Sequence, residues 1–197
     1  MRNLLITVLV LVAGYQLLTK EQPVRYGQGV LVSEVPRQQN LEGQEPFRHK
    51  EFLIKPLAQF QASARVLSKR EYSRGLESDL SPLDLALGWG KMSDQVVLDT
   101  LDISQSGRWY KWRADQLIIP RREIETHSAN MHIVPANKDI EHKLTEVRPG
   151  ELIALGGYLI QAEQSNGWKW RSSLTRADTG TKACELVWVE SLQVLSY

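Results

Sequence analysis

Beyond Glu51, apolar and polar residues alternate through much of the chain, a period of two that is typical of β-strands. The C-terminal quarter shows the alternation most clearly. There, strands are predicted over 152–162, 168–174 and 183–194, with turn-forming Asn–Gly and Asp–Thr–Gly sequences between them. Three strands joined in this way predict an antiparallel meander. The last strand is apolar on both faces, which predicts that it lies in the interior of the fold.

Capping patterns between the strands predict three short helices. Ser81 followed by proline places a hydroxyl at an N-cap and a proline at the first helical position, which predicts a helix over 82–87. The pair Ser93–Asp94 repeats the capping pattern before a short apolar segment. Asn137 caps a third helix with apolar residues at helical spacing, and a Pro–Gly sequence ends it.

These elements predict a mostly β fold of the α+β type. The expected architecture is a small, partly open β-barrel, OB-like or SH3-like, with short helical inserts and an N-terminal membrane helix. The barrel is inferred from residues 147–159, where a tight turn leads into a strand with two adjacent glycines. Glycines at such a position let a strand bend sharply, as the strands of small barrels do.

The chain begins with an apolar run over residues 4–18, between Arg2 and Lys20. A helix of this length spans roughly 22 Å, less than the roughly 30 Å of a bilayer's hydrocarbon core, so a spanning helix also needs its flanks. An uncleaved signal anchor and a cleaved signal peptide both fit the run. Both interpretations export the rest of the chain.

Three parts are therefore expected: a leader over 1–20, a partly ordered tether over 21–50 with one short strand at 29–33, and a single mostly β soluble domain over 51–197. Arg2 and the amino group favour a cytoplasmic amino terminus, which places the domain in the periplasm. The expected location is the bacterial inner membrane with a periplasmic domain, or the periplasm if the leader is cleaved.

Composition excludes several classes of function. The chain has 24 Lys and Arg residues against 23 Asp and Glu residues, so it lacks the basic excess of a nucleic-acid-binding protein. Its one cysteine cannot form an internal disulfide. His127 and His132 are five residues apart, a spacing that aligns them on neither a strand nor a helix, so no metal site is predicted. No cofactor is expected.

The predicted C-terminal hairpin combines aromatic, cationic and hydroxyl side chains. Alternation places Trp168 and Trp170 on one face and Arg171 and Ser173 on the other. Guanidinium and hydroxyl groups bind carboxylates and phosphates through charge-assisted hydrogen bonds. Together with the segment 127–132, interpreted as a loop, the hairpin predicts a contact surface. The predicted binding residues are Trp168, Trp170, Arg171, Ser173, Arg176 and Asn130.

The same region also permits a catalytic interpretation, because an imidazole exchanges protons near neutral pH and can act as a general base. In that interpretation two arginines of the hairpin stabilise negative charge on an anionic or phosphate-bearing substrate. The catalytic residues would be His127, His132 and Asp178, with Arg171 and Arg176 as the charge stabilisers. A structural role for both histidines is the competing interpretation.

Cys184 is interpreted as a small buried apolar residue rather than a nucleophile. The adjacent Glu185 disfavours a thiolate. The sequence also lacks the Thr-Leu-x-Thr-Cys motif of sortase-like transpeptidases, and no arginine follows the cysteine, as the oxyanion partner of those enzymes does.

Three segments, SPLDLALGWG at 81–90, HSANMH at 127–132 and WRSSLTR at 170–176, resemble those of a family of bacterial exported proteins with no assigned activity. The resemblance implies an envelope setting and no mechanism. The expected function is binding or assembly on the periplasmic side of the inner membrane. The membrane, through the leader, and an envelope protein are the expected partners, and self-association stays open. The alternative is the hydrolase described above.

Overall fold

The computed structural model describes residues 22–175 and 184–196, which form ten β-strands and four α-helices. The strands are β1 (Arg37–Asn40), β2 (Phe47–His49), β3 (Phe52–Glu71), β4 (Leu83–Gly88), β5 (Asp102–Ser106), β6 (Trp109–Arg113), β7 (Ser128–Pro135), β8 (Leu152–Glu163), β9 (Lys169–Arg171) and β10 (Glu185–Leu195). The helices are α1 (Leu76–Leu80), α2 (Gln95–Leu98), α3 (Arg121–Thr126) and α4 (Lys138–Glu146), and a 3₁₀ turn covers Gly90–Ser93.

Eight strands form one sheet in the order β1-β3-β4-β7-β10-β8-β9, with β2 beside the start of β3. Strand β3 also pairs with β8 over 53–65 and with β4 over 65–71. Strand β3 therefore connects both ends of the run β4-β7-β10-β8. However, β4 and β8 pair with the same residue of β3 only at Arg65. The sheet is partly closed into a ring and is not a barrel. The prediction of a mostly β fold is confirmed, whereas the predicted OB-like or SH3-like barrel is wrong.

The two faces of the sheet bury different side chains, as β7 illustrates. Met131 and Ile133 point to the inner face and pack in the main hydrophobic core. Val134 belongs to a second cluster on the outer face, with Leu186 and Trp188 of β10. Alternation along β7 places His132 on this outer face, next to Val134.

Two of the three predicted helices are confirmed together with their caps. The Asp94 carboxylate accepts a hydrogen bond from the backbone N–H of Val96 at 3.0 Å and begins α2. The Asn137 side-chain oxygen accepts one from Ile140 at 3.0 Å and begins α4. Each cap satisfies a backbone donor that has no partner within the helix.

The helix predicted over 82–87 is wrong, because these residues form strand β4 in the interior of the sheet. The alternating Leu83, Leu85 and Leu87 all pack in the inner core. The Ser81 hydroxyl donates to the Leu83 carbonyl oxygen instead of accepting from a helical N–H. Burial of one face of a strand therefore outweighed the local capping pattern.

The predicted C-terminal meander is also wrong in its strand order. Strand β8 lies between β10 and β9, and β10 pairs with β7 in parallel on its other edge. The strand predicted over 168–174 forms regular pairs only at Lys169–Arg171. The prediction that the last strand is interior is confirmed, since residues 185–189 are buried between β7 and β8.

Residues 24–33, called the strap below, run beside the 3₁₀ turn and α2 and hydrogen-bond to side chains of both. The Ser93 hydroxyl accepts hydrogen bonds from the backbone N–H groups of Leu31 and Val32, both at 3.0 Å. The strand predicted at 29–33 is therefore replaced by side-chain-to-backbone contacts, and within the described residues 22–50 the strands are β1 and β2.

The leader over 1–20 lies outside the described residues, so the N-terminal membrane helix and the division into leader, tether and domain stay predictions. Within the described ranges, no helix is long and apolar enough to cross a membrane.

Candidate functional site

The two-stranded ribbon of β5 and β6 brings one arginine onto the outer face of the sheet. Its turn residues, Gly107 and Arg108, have φ angles of 58° and 68°. Positive φ at both central positions is the conformation of the tight turns that join twisted antiparallel strands. Arg108 therefore adopts a backbone conformation that non-glycine residues seldom use, and the contacts of its side chain hold it there.

Asp84 of β4 is the centre of a buried polar network on this face. Its side chain is fully buried, and its Oδ1 lies 2.7 Å from Arg108 Nη1 and 2.9 Å from His132 Nδ1. Its Oδ2 accepts a longer hydrogen bond from Asn130 Nδ2 at 3.4 Å. The register of β4 and β7 pairs Asp84 with His132, so adjacent strands supply both groups. Three donors on one carboxylate offset much of the cost of burying its charge.

Arg108 is held on several sides besides that of Asp84. Its Nη2 donates to the Ser81 carbonyl oxygen at 2.8 Å, and its guanidinium carbon lies 3.9 Å from the centroid of the Tyr72 ring. The Trp170 ring is next, at 5.6 Å. Burial raises the pKa of Tyr72, and the nearby Asp84 carboxylate adds to the rise, so the phenol stays neutral beside the ion pair.

Asn130 fixes the ribbon to β7 through its two amide ends. Its Nδ2 donates to the Arg108 carbonyl oxygen at 3.2 Å, and its Oδ1 accepts from Gln105 Nε2 at 2.6 Å. Farther along the ribbon, the Tyr110 hydroxyl donates to the Ser128 hydroxyl at 3.3 Å. Polar contacts thus run along one side of the ribbon, from its turn to the middle of β6.

His132 is buried, and the Trp170 ring lies 4.8 Å from it, centroid to centroid. Because a carboxylate accepts at Nδ1, that nitrogen carries the ring proton and Nε2 carries the lone pair. Among the described residues, Nε2 has no hydrogen-bond partner. The geometry therefore orients a basic nitrogen.

The structure brings together three of the predicted site residues, Trp170, Asn130 and His132, and separates the others from them. Arg171 is exposed on the opposite face of β9, where its Nη1 donates to Gln161 Oε1 at 2.8 Å. Ser173 is part of a local turn, in which its hydroxyl accepts from the Thr175 N–H at 3.1 Å.

Trp168 packs on the outer face against Phe52, with the ring centroids 5.5 Å apart. The predicted separation of aromatic and basic side chains on the hairpin is therefore present in β9. Arg176 and Asp178 lie outside the described residues, so their predicted roles stay predictions.

The segment 127–132, predicted as a loop, is the end of α3 followed by strand β7. His127 does not join the network. Its Nδ1 lies 3.0 Å from the Glu123 carbonyl oxygen, at the carboxyl end of α3, and its ring packs against Gly90. His127 thus has the contacts of a structural residue that holds α3 against the 3₁₀ turn.

Sequence reasoning missed Asp84, Arg108 and Tyr72, three central members of the network. The signal for Asp84 was its position among alternating leucines, which indicates a strand with one buried carboxylate. A carboxylate at such a position requires a donor from elsewhere in the chain. The Gly–Arg turn that supplies the donor had no separate signature.

Cys184 is half-buried, so the prediction of a buried residue is wrong. In residues 22–175 and 184–196, no group of three or more His, Cys, Asp or Glu side chains is arranged to hold a metal ion.

No protein-family model matches the chain, and neither the curated proteins nor the solved structures give a significant match. The structure itself defines a partly ring-closed, mostly β domain with a buried Asp–Arg–His network beneath a two-stranded ribbon.

Proposed function

We propose that the protein is a binding module of the bacterial envelope that uses the hairpin β8–β9 as its contact surface. The proposal includes an anchor in the inner membrane and a partner protein in the periplasm. The observation that carries it is the placement of Trp170. Its ring contacts both His132 and Arg108, while the next residue, Arg171, is exposed on the other face.

A surface of this kind binds with a small entropic cost, because its central aromatic residue is already fixed. The hairpin is short, yet the network beneath it connects β4, β7 and the ribbon. Lys169 and Arg171 are exposed on the face of β9 opposite Trp170 and give it a positive charge, although Lys169 also pairs with Glu163 at 3.2 Å. We therefore expect a partner surface that presents carboxylates.

Crosslinked recovery of the tagged, full-length protein from intact envelopes tests the proposal. Arg171→Glu reverses the charge at an exposed position and should reduce recovery of the partner at least tenfold, while the thermal unfolding temperature stays unchanged. Trp168→Ala should also reduce recovery, with some loss of stability because Trp168 packs on Phe52. Arg122→Glu, at an exposed position on α3, is the matched control. Equal recovery with Arg171→Glu and the control would refute the assignment.

The second candidate is a hydrolase of an anionic or phosphate-bearing substrate. The 2.9 Å contact between Asp84 and His132 favours it, because it orients Nε2 as a general base. The exposed arginine predicted to stabilise charge, Arg171, faces away from this nitrogen. Hydrolysis of phosphate and carboxylate esters by purified protein separates the candidates. Loss of hydrolysis in His132→Gln with full hydrolysis in Arg171→Glu supports the enzyme, and no hydrolysis by the unaltered protein removes it.

A further inference from the structure

The strap attaches to the domain at its first residues. The backbone N–H of Val24 donates to the Pro149 carbonyl oxygen at 2.8 Å, and the Val24 carbonyl oxygen accepts from Arg65 Nη2 at 3.2 Å. Two residues later, the N–H of Tyr26 donates to Gln95 Oε1 at 3.2 Å. The path of the chain is therefore fixed from Val24 onward.

Little chain separates this fixed point from the apolar leader. Leu18 is the last residue of the apolar run, and six residues lead from it to Val24. Even a fully extended chain of that length spans only about 20 Å. The strap thus offers no long tether between a membrane helix and the folded domain.

We infer that the end of the domain that carries the strap lies against the phospholipid head groups, and that the hairpin β8–β9 points away from the bilayer. The inference rests on the inner-membrane anchor of the proposed function. It names the second surface of the module, which contacts lipid.

The side chains around the strap fit such a position. Val30 and Val96 are each about half exposed. The N–H groups of Gly29 and Val96 donate to the same Asp94 oxygen, at 2.9 and 3.0 Å, so the two valines flank a single carboxylate. Exposed apolar side chains of this size suit the boundary between head groups and acyl chains.

Two ion pairs lie at this end, and the Asp94 carboxylate between the valines accepts two backbone N–H groups, which lowers the barrier to lipid contact. Arg25 lies 2.7 Å from Asp99, and Arg148 lies 2.8 Å from Glu151. Neither ion pair leaves a net charge that anionic lipid would repel or strongly attract. The contact with lipid is therefore weak by itself, and the short connection to the leader sustains it by keeping the local lipid concentration high.

The long strand β3 sets the distance from this end to the hairpin. Arg65 contacts the strap, whereas Ile54 pairs with Ala162 of β8, which pairs in turn with Trp170 of β9. The eleven residue-to-residue steps from Ile54 to Arg65 correspond to roughly 36 Å along β3. The proposed contact surface therefore faces the periplasm and stays accessible to a partner.

Fluorescence quenching in vesicles tests the orientation with the full-length protein. In a Cys184→Ala background, a fluorophore is attached to Val96→Cys at the strap end, or to Ser165→Cys in the exposed turn between β8 and β9 as the matched control. Both proteins are reconstituted into phosphatidylethanolamine–phosphatidylglycerol vesicles that carry spin-labelled head groups in both leaflets. Quenching at Val96→Cys should exceed quenching at Ser165→Cys severalfold. Insertion of a long flexible Gly–Ser segment after Gln22 should reduce that difference.

The outcomes separate this inference from the proposed anchor. Flotation of the protein with the vesicles and equal quenching at both positions would overturn the orientation and leave the anchor intact. Failure to float, with a mass that shows loss of the leader, would overturn both. Flotation with stronger quenching at Val96→Cys supports both.

Discussion

Arg108→Met tests how much of the stability depends on the guanidinium that pairs with Asp84. The Asp84 side chain is fully buried and Arg108 Nη1 lies 2.7 Å from its Oδ1. Removal of one partner from a buried ion pair leaves an uncompensated charge and costs about 3–5 kcal/mol in unfolding free energy. Because His132 and Asn130 still donate to the carboxylate, we expect the low end of that range, about 3 kcal/mol.

Substitution of the other partner, Asp84→Asn, should cost less unfolding free energy, because Arg108 is more exposed than Asp84. In Asp84→Asn, Arg108 keeps its hydrogen bond to the Ser81 carbonyl oxygen and its contact with the Tyr72 ring. Its side chain is also 14% exposed, so water can reach part of it. We expect a loss of about 2 kcal/mol. The double variant, Asp84→Asn with Arg108→Met, leaves neither charge buried. Its loss of unfolding free energy should therefore be about 3 kcal/mol, less than the sum of the two single losses.

Urea unfolding of the full-length protein in mild detergent, followed by tryptophan fluorescence, measures these losses. The dependence of the free energy on urea should stay unchanged, since the area exposed on unfolding is the same. Arg122→Met, at an exposed position on α3, is the control and should change stability by less than about 0.5 kcal/mol. A loss below about 1 kcal/mol for Arg108→Met, or simple addition of the two single losses, would contradict a buried ion pair between Arg108 and Asp84.

Three further predictions concern the strap and the ribbon. Gly150 has a φ of 89°, and a Cβ there would lie 2.0 Å from the Val24 carbonyl oxygen, so Gly150→Ala should cost at least about 2 kcal/mol and speed hydrogen exchange in the strap. Ser93→Ala leaves two strap N–H groups without their acceptor and should cost about 2 kcal/mol, with new protease cleavage in the strap. Burial raises the pKa of Tyr110 to about 12, partly opposed by its hydrogen bond to Ser128. Stability present below pH 10, the ordinary value, is therefore lost as the pH rises to about 12, by up to about 3 kcal/mol, and urea unfolding of Tyr110→Phe near pH 11 should lack this loss.

Local sequence patterns predicted correctly those helices in which tertiary packing favours the same backbone conformation as the local sequence. Asp94 and Asn137 cap helices, as the local sequence at each position predicts. The Ser81 pattern failed because burial of the three leucines of β4 required an extended chain. The parallel pairing of β7 with β10 connects strands about fifty residues apart in sequence, and no local pattern specifies such a partner.

The site was predicted in part for the same reason. Asn130, His132 and Trp170 belong to segments with unusual composition, so the sequence alone selects them. Their partner Arg108 lies in a two-residue turn that has no comparable sequence signal. Its role depends on the turn at Gly107, which carries the guanidinium across the outer face to Asp84. Pairing between β4 and β7 then determines which imidazole shares the carboxylate.

The polar network has a consequence for the hairpin that apolar packing would not produce. Buried ion pairs often add no stability relative to apolar residues of the same size, so their effect here lies in geometry. A leucine cluster beneath Trp170 would allow several ring positions of similar energy. The guanidinium and the imidazole are each fixed by hydrogen bonds to Asp84, and the Trp170 ring contacts both. We therefore expect Asp84→Asn to weaken partner binding through the position of Trp170, even where the protein remains folded.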